Sequence, residues 1–173
     1  MEKINVLIDE ESLNKRVKEI AEQISSDYGN EELILVCILK GAVYFATDLS
    51  KKIKNNEVIM DFMKVSSYGI GQRETTGKID FKLDLSVDIE NKNVIVVEDI
   101  VDSGKTMRYL CDYLKNKNPK SLKICTLLDK PARRTESIKA DYVGFTIDDK
   151  FVLGYGLDYD EKYRNLPYIG YID

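Results

Sequence analysis

Residues 94–107 read V-I-V-V-E-D-I-V-D-S-G-K-T-M, and the order of residue types in this stretch decides the fold. Residues 94–97 are a continuous apolar run, the pattern of a strand covered on both faces. Gly104 allows a tight turn, and a helix follows over residues 105–117, closed by Asn118-Pro119. The free N–H groups at that helix start, with the Ser103 and Thr106 hydroxyls, make a cradle for one phosphate. A nucleoside-triphosphate loop of the form G-x-x-x-x-G-K-[ST] is disfavoured, because Asp99 stands where its first glycine belongs. Glu98 and Asp99 sit at the carboxyl end of the strand, where carboxylates accept hydrogen bonds from hydroxyls or bind a metal. Phosphate and carboxylate repel each other, so one ligand must keep them apart. A sugar phosphate does so, with its phosphate in the cradle and its vicinal diol at the acids. Asp102 lies between, facing whatever the sugar carries. A strand-to-helix turn with capping acids is the plainer account of the same residues.

Two more apolar runs flank this unit, at residues 33–39 (L-I-L-V-C-I-L) and 122–128. Residues 9–28 form an amphipathic helix with Leu13, Val17, Ile20, Ala21 and Ile24 on one face and Gly29 as its stop. Lys40-Gly41 opens a helix over residues 42–53, and residues 58–65 read as a strand. Residues 66–77 (S-S-Y-G-I-G-Q-R-E-T-T-G) are a polar, glycine-rich loop. Ile79, Phe81, Leu83 and Leu85 alternate with polar neighbours, giving a half-exposed strand. Residues 142–147 and 151–157 are shorter strands. Strands alternating with helices imply an α/β fold, a mostly parallel twisted sheet flanked by helices, with ligands at the carboxyl ends of its strands. No repeat or linker interrupts residues 1–173, so a single domain is expected.

The 173 residues carry 26 Lys and Arg against 30 Asp and Glu, a net charge of −4, which argues against a nucleic-acid or membrane coat. No signal-peptide core or membrane-length apolar run is present, so a cytoplasmic location is expected. Cys37, Cys111 and Cys125 are widely spaced in apolar or helical contexts and read as reduced packing residues. The chain has no histidine. Any general base is therefore Asp, Glu, Lys, Tyr or Cys, and a catalytic metal would take oxygen ligands, which favours Mg2+.

On these residues the sequence resembles the type I phosphoribosyltransferases. V-I-V-V-E-D-I-V-D-S-G-K-T is similar to their phosphoribosyl-diphosphate motif. L-K-G at 39–41, S-S-Y-G at 66–69, L-L-D-K at 127–130 and D-K-F-V-L-G-Y-G-L-D-Y-D-E-K-Y-R-N-L-P-Y at 149–168 extend the likeness to the 6-oxopurine branch, the hypoxanthine(-guanine) phosphoribosyltransferases. The resemblance implies the family's sheet with a small hood formed by the N- and C-terminal segments. It also implies Mg-dependent transfer of a 5-phosphoribosyl group to a 6-oxopurine base. Asp102 would be the general base, with Glu98 and Asp99 on the ribose hydroxyls and residues Asp102, Ser103, Gly104, Lys105 and Thr106 on the 5-phosphate. Leu39, Lys40 and Gly41, with a cis peptide between the first two, would form a pyrophosphate nest of backbone N–H groups, joined by Arg164. Ser67 and Tyr68 would belong to a lid. Lys130, Phe151, Val152 and Asp158 would meet the purine, Lys130 donating to its 6-oxo group and Phe151 stacking on it. Asp158, Glu98 and Asp99 would serve the metal.

Taken singly, several of these residues have ordinary readings. Lys130 is a solvated lysine before a proline, Phe151 a core residue, Asp158 a turn residue and Arg164 a surface charge. The resemblance implies small-molecule substrates, no nucleic-acid or membrane partner, and a homodimer or homotetramer. Two other readings stay open: a xanthine-preferring phosphoribosyltransferase, and a regulator of this fold that binds RNA.

Overall fold

The computed structural model describes residues 3–54, 57–66 and 80–172. Its main sheet has six strands in the order β4-β3-β2-β5-β6-β7. These are β2 (Leu33–Ile38), β3 (Val58–Ser66), β4 (Asp80–Leu83), β5 (Asn93–Val101), β6 (Ser121–Asp129) and β7 (Tyr142–Thr146). All neighbours pair in parallel except β3 with β4. The chain leaves β2 through helix α2 (Val43–Lys52) toward β3, and leaves β5 through α3 (Lys105–Lys115) toward β6, in the opposite direction. Right-handed crossovers that diverge in this way put their helices on opposite faces and open a crevice between β2 and β5 at their carboxyl ends.

The strand sequences explain the two-sided burial. In β2, Leu35 and Cys37 pack with α2 and with α1 (Glu10–Tyr28), while Ile34, Val36 and Ile38 pack on the α3 side. β5 divides likewise, Ile95 and Val97 against Val94 and Val96. Helix α1 begins where expected because Asp9 caps it, its carboxylate accepting the Ser12 N–H at 2.8 Å. Arg16 then clips α1 to β7, donating to Val143 O at 2.6 Å and Gly144 O at 2.9 Å. The three cysteines are buried and free. Burial pushes the Cys37 thiol up to about 12 and Cys111 to about 11, as befits packing residues.

A second sheet joins the chain ends: β1 (Asn5–Ile8), β9 (Ile169–Tyr171) and β8 (Val152–Leu153), all antiparallel, in the order β1-β9-β8. This is the hood that the family likeness implies. Three expectations need correction. The strand expected over residues 151–157 stops at Leu153, because Gly154, Tyr155 and Gly156 all take positive φ (93°, 48° and 102°). β5 runs on to Val101, so Glu98 and Asp99 stand within the strand. β4 is four residues long and leaves Leu83 exposed, so the alternation of residues 79–85 overstates it. Among the described residues no helix is long and apolar enough to cross a membrane.

Candidate active site

The crevice between β2 and β5 holds the acid pair. Glu98 is 8% exposed, and its carboxylate accepts the Asp99 N–H at 3.0 Å. Asp99 in turn accepts the Ile100 N–H at 2.6 Å. Burial, and then the neighbouring Asp99 charge, raise the Glu98 carboxyl well above the ordinary glutamate range. Burial also raises Asp99, opposed in part by its hydrogen bonds and by the Arg164 charge. Two carboxyl groups placed so close favour anything positive that enters beside them.

Across the crevice, the turn after β2 lies against this pair. A Cβ placed on Gly41 would fall 1.6 Å from Asp99 Oδ2, so only glycine fits there. The Leu39–Lys40 peptide is cis, as the resemblance implies. The Leu39 N–H is bonded to Met63 O at 2.8 Å and the Ala42 N–H to Ile38 O at 3.3 Å. Among the described residues no backbone carbonyl takes the Lys40 or Gly41 N–H, which leaves two donors for an anion.

Beyond Asp99, residues 98–104 with Thr106 and Met107 line a pocket of about 220 Å3. Gly104 turns the chain at φ 87°, and α3 starts without a side-chain cap. Among the described residues its first turn gains only a long 3.4 Å contact from the Lys105 N–H to Ser103 Oγ, and Thr106 and Met107 of that turn line the pocket. The Lys105 side chain is exposed and does not line the pocket. Asp102 Oδ1 is buried with no hydrogen-bond partner, and Oδ2 is 3.7 Å from Arg133 Nη1. An orphaned buried carboxylate oxygen is costly unless a ligand proton meets it.

Sequence reasoning missed the support of this loop. Arg134 donates to Asp102 O at 3.0 Å, Val101 O at 3.2 Å and Ile138 O at 2.9 Å, and pairs with Asp129. Its guanidinium fork thus pins the backbone of residues 101–102 to the end of β6. Arg133, next to it, lies 3.8 Å from Asp149 as well as near Asp102. The run P-A-R-R after Lys130 was the only sequence signal, and it reads as ordinary surface charge.

On the hood side the individual readings change. Lys130 is 5% exposed, not solvated: its ammonium donates to Lys150 O at 2.9 Å and lies 3.6 Å from Asp149. It keeps donor capacity for a carbonyl oxygen. Phe151 is 53% exposed, not core, and meets Tyr159 edge-on with ring centroids 5.5 Å apart. Val152 beside it is buried in β8. Arg164 is largely buried, donating to Gly156 O at 2.7 Å and pairing with Asp158 at 3.1 Å and Glu161 at 3.2 Å, while its Nε has no partner. Asp158 also accepts the Glu161 N–H at 2.9 Å, so it is a turn residue and an ion-pair partner at once. Gly156 closes the set, because a Cβ on it would lie 2.0 Å from Gly41 O. Ser67 and Tyr68 lie outside the described residues.

Glu98, Asp99 and Asp158 do not form a ready-made ion cage, and among the described residues no three His, Cys, Asp or Glu side chains do. The donors are nonetheless oxygens only, and among the described residues no lysine or arginine forms an ion pair with Glu98 or Asp99, although the Arg164 charge is felt at Asp99. Such a site fits a hard divalent ion that keeps waters and completes its shell with substrate phosphate oxygens, the habit of Mg2+.

A family model of the phosphoribosyl transferase domain matches residues 7–160. The chain is 50% identical over 169 residues to the hypoxanthine phosphoribosyltransferase of Buchnera aphidicola subsp. Schizaphis graminum, covering 96% of this chain and 94% of that protein. It is 48% identical over 165 residues to the bifunctional protein TilS/HprT of Listeria innocua, spanning 95% of this chain but only 25% of that much longer protein. The structure superposes on a hypoxanthine-guanine phosphoribosyltransferase from Bacillus anthracis with a TM-score of 0.92 and 50% identity, over 99% of this chain and 98% of the other. A match that runs through the sheet and into the hood, at this identity to a solved member, means that the chain belongs to the phosphoribosyltransferase family.

Proposed function

We propose that residues 1–173 act as one domain that transfers the 5-phosphoribosyl group of phosphoribosyl diphosphate to hypoxanthine and guanine. The products are the nucleoside monophosphate and pyrophosphate, and the role is cytoplasmic purine salvage by a homodimer or homotetramer. The single observation that carries the reading is the crevice geometry: a buried acid pair between an uncapped helix start and a glycine turn whose Lys40 and Gly41 N–H groups are taken by no backbone carbonyl among the described residues.

Each residue type then has a task. The N–H groups of residues 103–106 with the Ser103 and Thr106 hydroxyls hold the 5-phosphate. Glu98 and Asp99 accept hydrogen bonds from the ribose hydroxyls. As pyrophosphate departs, the ribose carbon gains positive charge, and the same carboxylates stabilise it more than they stabilise the neutral sugar. Asp102 accepts the proton from the imidazole ring of the purine, a role its unpartnered Oδ1 suits. Lys130 donates to the 6-oxo group. Adenine offers a donor there instead, sets it against the ammonium's own N–H groups and is rejected. The Lys40 and Gly41 N–H groups and Arg164 bind pyrophosphate. Magnesium, when held by these carboxylates, neutralises charge on the leaving group.

Protein mixed with Mg2+, phosphoribosyl diphosphate and each of hypoxanthine, guanine, xanthine, adenine and uracil tests this directly. Nucleotide and pyrophosphate should appear with the first two and not with adenine or uracil. Turnover of xanthine alone would move the reading to a xanthine enzyme, and RNA retention without any turnover to a regulator.

The exposed Phe151 ring allows a sharper check. Base stacking on an aromatic ring contributes about 1–3 kcal/mol. Phe151→Ala should therefore raise KM for hypoxanthine roughly tenfold while leaving that for phosphoribosyl diphosphate within about twofold. Because the ring is half in water, melting temperature should hardly move. A large loss of stability with unchanged KM would return Phe151 to a packing role.

A further inference from the structure

We propose that Glu161 is a built-in stand-in for pyrophosphate: in the ligand-free protein its carboxylate bridges Lys40 and Arg164, and pyrophosphate must displace it to bind. The inference rests on the assignment of the Lys40–Gly41 turn and Arg164 to pyrophosphate. Glu161 Oε2 accepts from Lys40 Nζ at 2.6 Å, and Oε1 accepts from Arg164 Nη2 at 3.2 Å. One anion therefore joins a cation from the end of β2 to a cation from the segment leading into the hood. It occupies the space between them that a larger anion would fill.

The backbone gives an independent reason to think the side chain matters. Tyr159 and Lys162 exchange both of their backbone hydrogen bonds at 3.1 Å, leaving Asp160 and Glu161 as a two-residue hairpin loop with φ of 51° and 63°. Loops of this type take Asn-Gly or Asp-Gly, because the second position favours glycine. Here that position carries glutamate, against the local backbone preference. The Glu161 N–H to Asp158 bond at 2.9 Å fixes the tip so that the carboxylate faces the cations.

Both partners of the Lys40 pair are well exposed, at 49% and 65% of the side chain, so the contact is weak and exchangeable. It keeps two cations oriented when no ligand is present and lowers the affinity for pyrophosphate. After transfer, the same carboxylate competes for them and favours product departure.

The test is calorimetric titration of Mg-pyrophosphate into the full chain, with IMP titrated in parallel. Glu161→Gln removes the charge, and Glu161→Gly removes it while also relieving the positive φ. Both variants should bind pyrophosphate about three- to tenfold more tightly than the parent, with IMP affinity within about twofold. Glu161→Gly should melt at or above the parent temperature. A glutamate that only braces the fold predicts weaker binding in both variants, and tightening cannot come from lost bracing. Equal or weaker pyrophosphate binding with IMP binding intact would overturn the stand-in role alone. A parent protein that binds IMP but no pyrophosphate would overturn the pyrophosphate assignment and the stand-in role together.

Discussion

Gly41→Ala should lower kcat/KM by about two orders of magnitude in a protein that still folds. The added methyl would sit 1.6 Å from Asp99 Oδ2 and 2.6 Å from its Cγ, distances no real contact tolerates. The turn cannot retreat toward the hood, because Gly41 O already lies against Gly156 so closely that a Cβ there would be 2.0 Å away. Asp99 must therefore swing out of the crevice. That removes one of the two carboxylates proposed to face the ribose and disturbs the N–H pair of the turn proposed to hold pyrophosphate at once. A misplacement of about 1 Å at a reacting centre costs on the order of 10²-fold. Core packing is little affected, since the clash is with a side chain at the crevice wall, and the melting temperature should fall by only a few degrees. Steady-state kinetics beside a thermal melt checks this. Activity within about fivefold of the parent would mean that Asp99 does not work from the position seen here.

The second large effect is expected at Asp102. Asp102→Asn keeps the shape of the side chain but removes its ability to take a proton. Turnover should fall about tenfold at the least, toward the ~10²–10⁴-fold that a positioned general base contributes. KM for phosphoribosyl diphosphate should stay within about twofold, because the proposed phosphate cradle uses backbone N–H groups and hydroxyls that the change leaves alone. The Arg133 contact at 3.7 Å is long, so its loss has a small effect on loop position. Unchanged turnover in this variant removes Asp102 from the chemistry.

Much of this was legible in the sequence because the signals are local. The apolar runs of β2, β5 and β6 reflect burial on both faces, and Asp9 and Gly29 mark the ends of α1 as capping chemistry requires. The strand-turn-helix at residues 94–107 likewise carries its own explanation. What stayed hidden depends on segments far apart in the chain. β1 and β9 are short strands that exist only through pairing of the two ends of the fold. The run at 151–157 looked like one strand, but Tyr155 at positive φ has no local signature, and the chain turns there to bring Gly156 onto Gly41. Lys130 is buried by Lys150 O and Asp149, twenty residues on, so its own neighbourhood suggested water. Arg134 reads as a surface cation until the fold brings the Val101 and Asp102 carbonyls within its reach.

The central claim is that the end of β5 grips a ribose 5-phosphate by both its anionic and its hydroxyl ends. Crystals grown with IMP, Mg2+ and pyrophosphate measure this most directly. The account predicts the phosphate on the N–H groups of residues 103–106, the two ribose hydroxyls on Glu98 and Asp99, and the base between Phe151 and Lys130. Nucleotide density seated elsewhere, with those carboxylates touching only water, would contradict it.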